Sequence, residues 1–275
     1  MRIDAHQHFW NYSPEAHGWI DDSMGVLKRD FLPEHLKPEL DQNGFEGCVL
    51  VQTAHTLQET QWFLSLADQF PFIKGVVGWV DLRSREVGGQ LKRFVAHPKF
   101  KGVRHIAQSE PDDRFLVGKE FLEGISRLAE FNLTYDILIY PKQLPAAIEL
   151  VRKFPKQPFV LDHLAKPDIK AGKLSPWKEQ IQELAQSPNV DCKVSGMVTE
   201  ADWKNWKPAD LKPYLDVVFE AFGPKRLMIG SDWPVCLLAG NYGRITGVVQ
   251  DYLSAFSKED QDAVLGCNAD RFYRL

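Results

Sequence analysis

Gly47-Cys48-Val49-Leu50-Val51-Gln52, then the helical run Glu59 to Gln69, then Gly75-Val76-Val77-Gly78-Trp79-Val80: this stretch decides the fold class. Its two outer runs are short and apolar on both faces, and a helix-forming segment separates them. Strands of that kind, joined by helices, belong to a parallel sheet covered on both sides. The unit recurs in both directions. Strand-like runs occur at Ile3-Asp4-Ala5-His6, Lys101-Gly102-Val103-Arg104-His105-Ile106, Leu133 to Ile139, Pro158 to His163, Val190 to Ser195 and Leu227 to Asp232. Helical segments Glu86 to Val95, Lys119 to Phe131, Leu144 to Lys153, Trp177 to Ala185 and Leu211 to Ala221 fall between most of them. Eight β units at a spacing of roughly 30 residues predict an α/β fold, a (β/α)8 TIM barrel, as one domain over residues 1–275. An open doubly wound sheet is the rival, but no Gly-x-Gly-x-x-Gly follows the first strand. Residues 11–33 form an irregular insertion after strand one, read as a lid or pocket wall, with a plain surface loop as the alternative.

Composition bounds the partners. The chain has 275 residues, 44% hydrophobic and 25% charged, which is ordinary globular territory with ample material for a core. A formal net charge of -4 leaves no basic field to attract phosphate backbones or anionic lipid. The expected partner is therefore a small molecule, with neither nucleic acid nor membrane, and a homo-oligomer is compatible with the sequence. No apolar run is long enough to span a bilayer, and the chain reaches Asp4 and His6 without a basic-then-apolar leader. A cytoplasmic location is expected on that basis. Cys48, Cys192, Cys236 and Cys267 are widely spaced and lack a Cys-x-x-Cys pair, so they read as reduced structural thiols.

The chemistry-bearing residues gather at the strand ends. Side chains in a strand alternate with period two, so His6 and His8 project to one side with Asp4 in register behind them. Two imidazoles at a strand end suit a divalent metal or the oxygens of a polar substrate. At the other end of the chain, the strand Leu227-Met228-Ile229 breaks at Gly230-Ser231-Asp232-Trp233-Pro234 and leaves Asp232 where the strand gives out. A carboxylate, two imidazoles and a water meeting in one pocket would be a hydrolytic constellation. Other polar strand-end residues are Gln52, His55, Trp79, Asp81, Arg104, His105, Asp136, Tyr140, Asp162, His163, Lys166, Lys193 and Ser195. For Asp136, Asp162 and Lys193 a structural hydrogen-bonding role is at least as well supported. The planar fork of Arg104 suits a carboxylate or vicinal hydroxyls, so it is the expected substrate anchor. His55 and Asp81 are further candidate substrate contacts, and Trp79, Trp10 and Trp233 offer faces for a sugar ring, although aromatic residues at loops also serve as packing.

Ile3-Asp4-Ala5-His6-Gln7-His8-Phe9-Trp10, Leu161-Asp162-His163-Leu164-Ala165-Lys166-Pro167 and Gly230-Ser231-Asp232-Trp233-Pro234 together resemble the amidohydrolase superfamily. More narrowly they resemble its amidohydrolase-related lactonase group, which holds sugar lactonases and dicarboxylate lactonases. The resemblance runs from Met1 to Leu275. It implies that His6 and His8 are the first-strand pair, His163 the sixth-strand histidine and Asp232 the eighth-strand acid, a general base toward water. Binuclear members carry a bridging Lys or Glu on strand four and a histidine on strand five. Here Arg104-His105 and Asp136 stand in those places, so a two-metal site is not expected. Either one divalent ion, zinc by preference, sits near His6, His8 and Asp232, or histidines polarise the substrate without metal. The implied activity is hydrolysis of a sugar lactone such as L-fuconolactone or L-rhamnonolactone. A metal-dependent decarboxylase of the same superfamily and a non-catalytic ligand-binding barrel are the alternatives.

Overall fold

Eight parallel strands pair in chain order in the computed structural model, which describes residues 1–275. They are β1 (Ile3–Gln7), β2 (Gly47–Val51), β3 (Ile73–Gly78), β4 (Phe100–His105), β5 (Thr134–Ile137), β6 (Phe159–Leu161), β7 (Val190–Val194) and β8 (Leu227–Ile229). Between them run α1 (Pro33–Gln42), α2 (Leu57–Gln69), α3 (Val87–Val95), α4 (Lys119–Leu128), α5 (Leu144–Lys153), α6 (Trp177–Leu184) and α7 (Pro208–Phe222). After β8 come α8 (Tyr242–Leu253), α9 (Lys258–Asp262) and α10 (Asn268–Tyr273). The arrangement is the (β/α)8 barrel that the repeating apolar runs predict.

Two apolar layers result, because each strand buries both faces. One lies between sheet and helices. The other fills the barrel where Ile3, Ala5, Val49, Val51, Val77, Val160 and Met228 meet Ala269, Phe272 and Tyr273 of α10. The C-terminal helix thus closes the end of the barrel at which the strands begin. Above that plug lies a charged layer, and above it the mouth formed by the strand C-termini.

β8 is too short to zip the barrel shut alone, and the loop after it completes the seam. Asp232 N–H donates to His6 O at 2.8 Å, and His8 N–H donates to Trp233 O at 2.7 Å. The buried Asp4 carboxylate fastens the same seam, accepting from Ser231 N–H at 2.8 Å, Ser231 Oγ at 2.6 Å and Tyr242 OH of α8 at 3.0 Å. Gly230 sits in it because a Cβ there would lie 2.7 Å from the His6 Cβ.

The strand expected over Pro158 to His163 ends early. His163, Leu164, Ala165 and Lys166 have φ of 53°, 55°, 57° and 51°, a left-handed turn made without glycine. Such residues cost about 1–2 kcal/mol each, so their surroundings must hold them. Lys166 N–H donates to His163 O at 2.7 Å, and the Trp177 indole donates to Leu164 O at 2.7 Å. The 11–33 insertion is also pinned. Trp10 and Phe31 exchange backbone hydrogen bonds of 2.9 Å, and the Trp10 indole donates to Arg29 O at 3.0 Å. No helix is long and apolar enough to cross a membrane.

Burial of Asp4 raises its carboxyl to about 6, against the hydrogen bonds it accepts from Ser231 and Tyr242. A carboxyl raised on folding stabilises most fully below its unfolded value near 4, and that contribution is lost as pH climbs through 6. Replacing Asp4 by Asn should remove this dependence. In urea titrations at pH 4 to 7, wild type should lose roughly 3 kcal/mol relative to Asp4→Asn, and parallel curves would show that Asp4 does not titrate in this window.

Candidate active site

At the centre of the charged layer lies Lys193 on β7, fully buried. Its Nζ donates to Asp136 Oδ2 on β5 at 2.6 Å and lies 3.1 Å from Asp162 Oδ1 and 3.1 Å from His6 Nδ1. Tyr273 OH of α10 donates to the same Asp136 oxygen at 2.7 Å. Arg104 on β4 donates from Nη1 to Asp162 Oδ2 at 2.9 Å, from Nε to Gln52 Oε1 at 2.8 Å, and from Nη2 to Gln52 O. Two cations and two carboxylates thus offset one another out of water, which is tolerable only when every partner is in place. Burial pushes Asp136 up to about 6 in spite of Lys193. Burial acts the same way on Asp162, but Lys193, His6 and Arg104 together hold it well below the ordinary carboxylate range.

The three imidazoles stand on this layer. His8 donates from Nδ1 to Val51 O at 2.7 Å, which leaves its Nε2 a bare lone pair. His8 Nε2 is 3.4 Å from Asp232 Oδ1, His163 Nε2 is 3.7 Å and His6 Nε2 is 4.0 Å from the same oxygen. Burial, before any charge effect, drives His6 well below its usual value, lowers His8, and takes His163 to about 4. Neutral imidazoles therefore surround Asp232 near neutral pH. Burial alone would raise Asp232, but His163, His8 and Lys166 bring it below the ordinary range, so it is the ionised member. Asp232 takes a left-handed φ of 58° where β8 gives out. His163 Nδ1 is 2.8 Å from Ser195 Oγ, and Gly196 at φ +61° leaves room for the ring, since a Cβ there would lie 2.5 Å from it.

His6 faces a donor-only group at each nitrogen: Lys193 Nζ at Nδ1, and Arg104 Nη1 at 3.2 Å from Nε2. One tautomer accepts from Lys193 and donates from Nε2 to His8 Nε2 at 3.2 Å. The other donates from Nδ1 to Asp162 Oδ1 at 3.3 Å and frees the Nε2 lone pair. In that second state His6 Nε2, His8 Nε2 and Asp232 form a convergent nitrogen, nitrogen, oxygen set. Both imidazoles then have an acceptor on the far nitrogen, Asp162 and Val51, as metal-bound histidines normally do. These residues fit one divalent ion. The guanidinium beside His6 would weaken its hold.

Above the imidazoles opens a cavity of about 440 Å³, lined by His8, His163, Asp232 and Arg104, with Lys166, Glu200, Tyr140, Trp203, Trp10, Trp19 and Met24 among its walls. The 11–33 insertion contributes Trp19 and Met24, so it forms a wall. Several expected substrate contacts lie elsewhere. Trp233 is buried, its ring packed edge-on against Phe9 and Phe31 at 6.0 and 5.2 Å, because the seam turns it inward. Trp79 donates its indole N–H to His105 Nδ1 at 3.3 Å, and His55 stacks on His105 at 4.0 Å while its Nε2 accepts from Ile106 N–H. The Asp81 carboxylate caps its own turn by accepting from Arg83 N–H at 3.1 Å. None of these four lines the cavity. Arg104 does, but most of its fork is committed to protein acceptors. Glu200 and Trp203 escaped the sequence reading because they lie in the loop after β7, where no periodicity marks them. Their position beyond a strand C-terminus was the available signal.

An amidohydrolase family model matches residues 3–275, and the chain belongs to that family of hydrolases. It is 38% identical over its whole length to an L-fucono-1,5-lactonase of Burkholderia multivorans, covering 96% of that protein. It is 37% identical to an L-fucono-1,5-lactonase of Burkholderia ambifaria, again over 100% of this chain and 96% of the relative. A crystal structure of a Burkholderia multivorans amidohydrolase with bound zinc superposes with a TM-score of 0.96 at 38% identity, over 100% of this chain and 99% of that one.

Removing Lys193 alone should leave buried Asp136 without a cation and Asp162 with Arg104 only. Lys193→Met is expected to lower stability by about 3–5 kcal/mol in urea denaturation, and adding Asp136→Asn should restore part of that loss. Strict additivity of the two substitutions would show that the pair is not coupled.

Proposed function

We propose that this chain opens the six-membered ring ester of a sugar lactone, with L-fucono-1,5-lactone as the substrate suggested by its Burkholderia relatives. The chain is a lactone hydrolase. The observation that carries the mechanism is the single ionised oxygen of Asp232 within 4.0 Å of three neutral imidazoles, at the floor of a cavity large enough for one sugar ring.

Lactone hydrolysis needs an oriented water, a base for its proton and donors toward the developing oxyanion. Asp232 is the base, and its low proton affinity keeps it ionised and ready. With Ser195 Oγ donating to His163 Nδ1, His163 carries its proton on Nε2 and presents it to the cavity as a donor to the lactone carbonyl. With the His6 proton on Nδ1 toward Asp162, the bare Nε2 of His8 accepts one O–H of the water and leaves the other to face Asp232. Once the tetrahedral carbon collapses, the proton taken by Asp232 is available to the departing ring oxygen. Arg104 acts mainly from below, fixing Asp162 and Gln52 and through them His6. Where one divalent ion is bound, His6, His8 and Asp232 would hold it, and it would polarise the carbonyl in addition.

A panel of aldonolactones followed with a pH indicator tests the activity directly, and failure to open any of them would defeat it. Asp232→Asn should fold and lose on the order of 10²- to 10⁴-fold in turnover. Near-normal turnover would remove Asp232 from the chemistry. Elemental analysis of the purified protein should give at most one equivalent of zinc per chain, and two tightly held equivalents would contradict a one-ion site.

A further inference from the structure

Two cationic side chains line the cavity, and they are used differently. Arg104 is tied to Asp162 and Gln52 by short hydrogen bonds. Lys166 is not. Its Nζ stands 3.6 Å from Glu200 Oε1, beyond hydrogen-bond reach, and 5.5 Å from the centre of the Tyr140 ring. The two side chains are only 16% and 21% exposed, so this open pair sits mostly out of water. Burial raises the Glu200 carboxyl, against the pull of Lys166.

Both groups are held from their backbones. Lys166 ends the left-handed turn that begins at His163, so one rigid turn aims an imidazole and an ammonium into the same cavity. Glu200 ends a short 3₁₀ turn, Val198–Glu200, and Lys170 N–H donates to Glu200 O at 2.9 Å, tying the loop after β6 to the loop after β7. The two backbones that carry the ammonium and the carboxylate are thus fixed by the fold.

An ammonium offers donors only, and an ionised carboxylate offers acceptors only. A hydroxyl seated between them accepts from one and donates to the other, and a neighbouring hydroxyl can do the same. An unsubstituted ring gives them nothing. A ring carboxylate meets a site whose Arg104 is paired with Asp162 and whose Lys166 is paired with Glu200, so no cation is left free for it and it would approach the negative Asp232.

We infer that Lys166 and Glu200 act together as a hydroxyl-reading pair, which restricts the lactone opened by Asp232 to neutral polyhydroxy rings and rejects carboxylated ones. This rests on the lactone-hydrolase reading above.

The test compares wild type, Lys166→Met, Lys166→Arg and the isosteric Glu200→Gln on a polyhydroxy 1,5-lactone, on δ-valerolactone and on a δ-lactone bearing a ring carboxylate. Lys166→Met and Glu200→Gln should each lose roughly 10- to 100-fold in kcat/KM on the polyhydroxy lactone, and at least tenfold more there than on δ-valerolactone. Lys166→Arg should recover part of that loss, and Glu200→Gln should raise the carboxylated lactone relative to the neutral one. Equal losses on hydroxylated and plain rings would overturn the inference while leaving the activity intact. Calorimetric binding of a polyhydroxy 1,5-lactam against δ-valerolactam supplies a readout that needs no turnover. Wild type should prefer the hydroxylated lactam, and Lys166→Met should narrow the margin. Equal affinity of wild type for both lactams would overturn the inference, even if no lactone were opened at all.

Discussion

The contact on which the rest of the site depends is the one between His6 and the two cations that flank it. Lys193 on one side and Arg104 on the other offer only donors, so the neutral ring accepts from one of them at its single lone pair, and a second proton would remove that contact. Burial then makes the charged form still less favourable. The result is a histidine that stays neutral while it stands close to an ionised aspartate. Asp162 and Asp136 make the two buried cations of this layer tolerable, and Tyr273 shares an Asp136 oxygen with Lys193. The charge layer is therefore scaffolding for a protonation state, assembled from four strands and the last helix.

That arrangement also explains how one constellation can suit both a metal and its absence. The His6 proton can lie toward His8, which leaves the Nδ1 lone pair to Lys193, or toward Asp162, which leaves the Nε2 lone pair to Arg104 or to an ion. In the first, Nε2 donates to His8; in the second, it is a ligand atom. A shift of one proton between two nitrogens separates the states, with no movement of the backbone.

The barrel was legible because its signal is repetition. Short runs apolar on both faces, spaced by helical segments, admit few architectures, and the breaks at His6-Gln7-His8, Asp162-His163 and Gly230-Ser231-Asp232 marked where those strands would end. Convergence of His6, His8, His163 and Asp232 followed from placing those ends at one mouth. What remained hidden depended on direction and register. Trp233 follows Asp232 immediately, yet the seam turns it into the packing against Phe31. Asp136, Asp162 and Lys193 come from strands 5, 6 and 7, and nothing local says that they face inward and meet. The chemistry of Arg104 alone suggests a substrate anchor, whereas its neighbours across the barrel use most of its donors. Glu200 lies in a loop, where spacing carries no information about direction.

The seam fastened by Asp4 has a consequence for how the molecule comes into being. Ser231 and Asp4 are 227 residues apart in the chain, and the hydrogen bonds that join them are the ones that bring Asp232 up to the first-strand histidines. Contacts of such long range carry a large loop-closure entropy and form late. A partly folded chain with seven strands in place would own a hydrophobic core and still possess no active site. Closure and competence are one event here, so a population of incompletely folded molecules would be silent rather than weakly active.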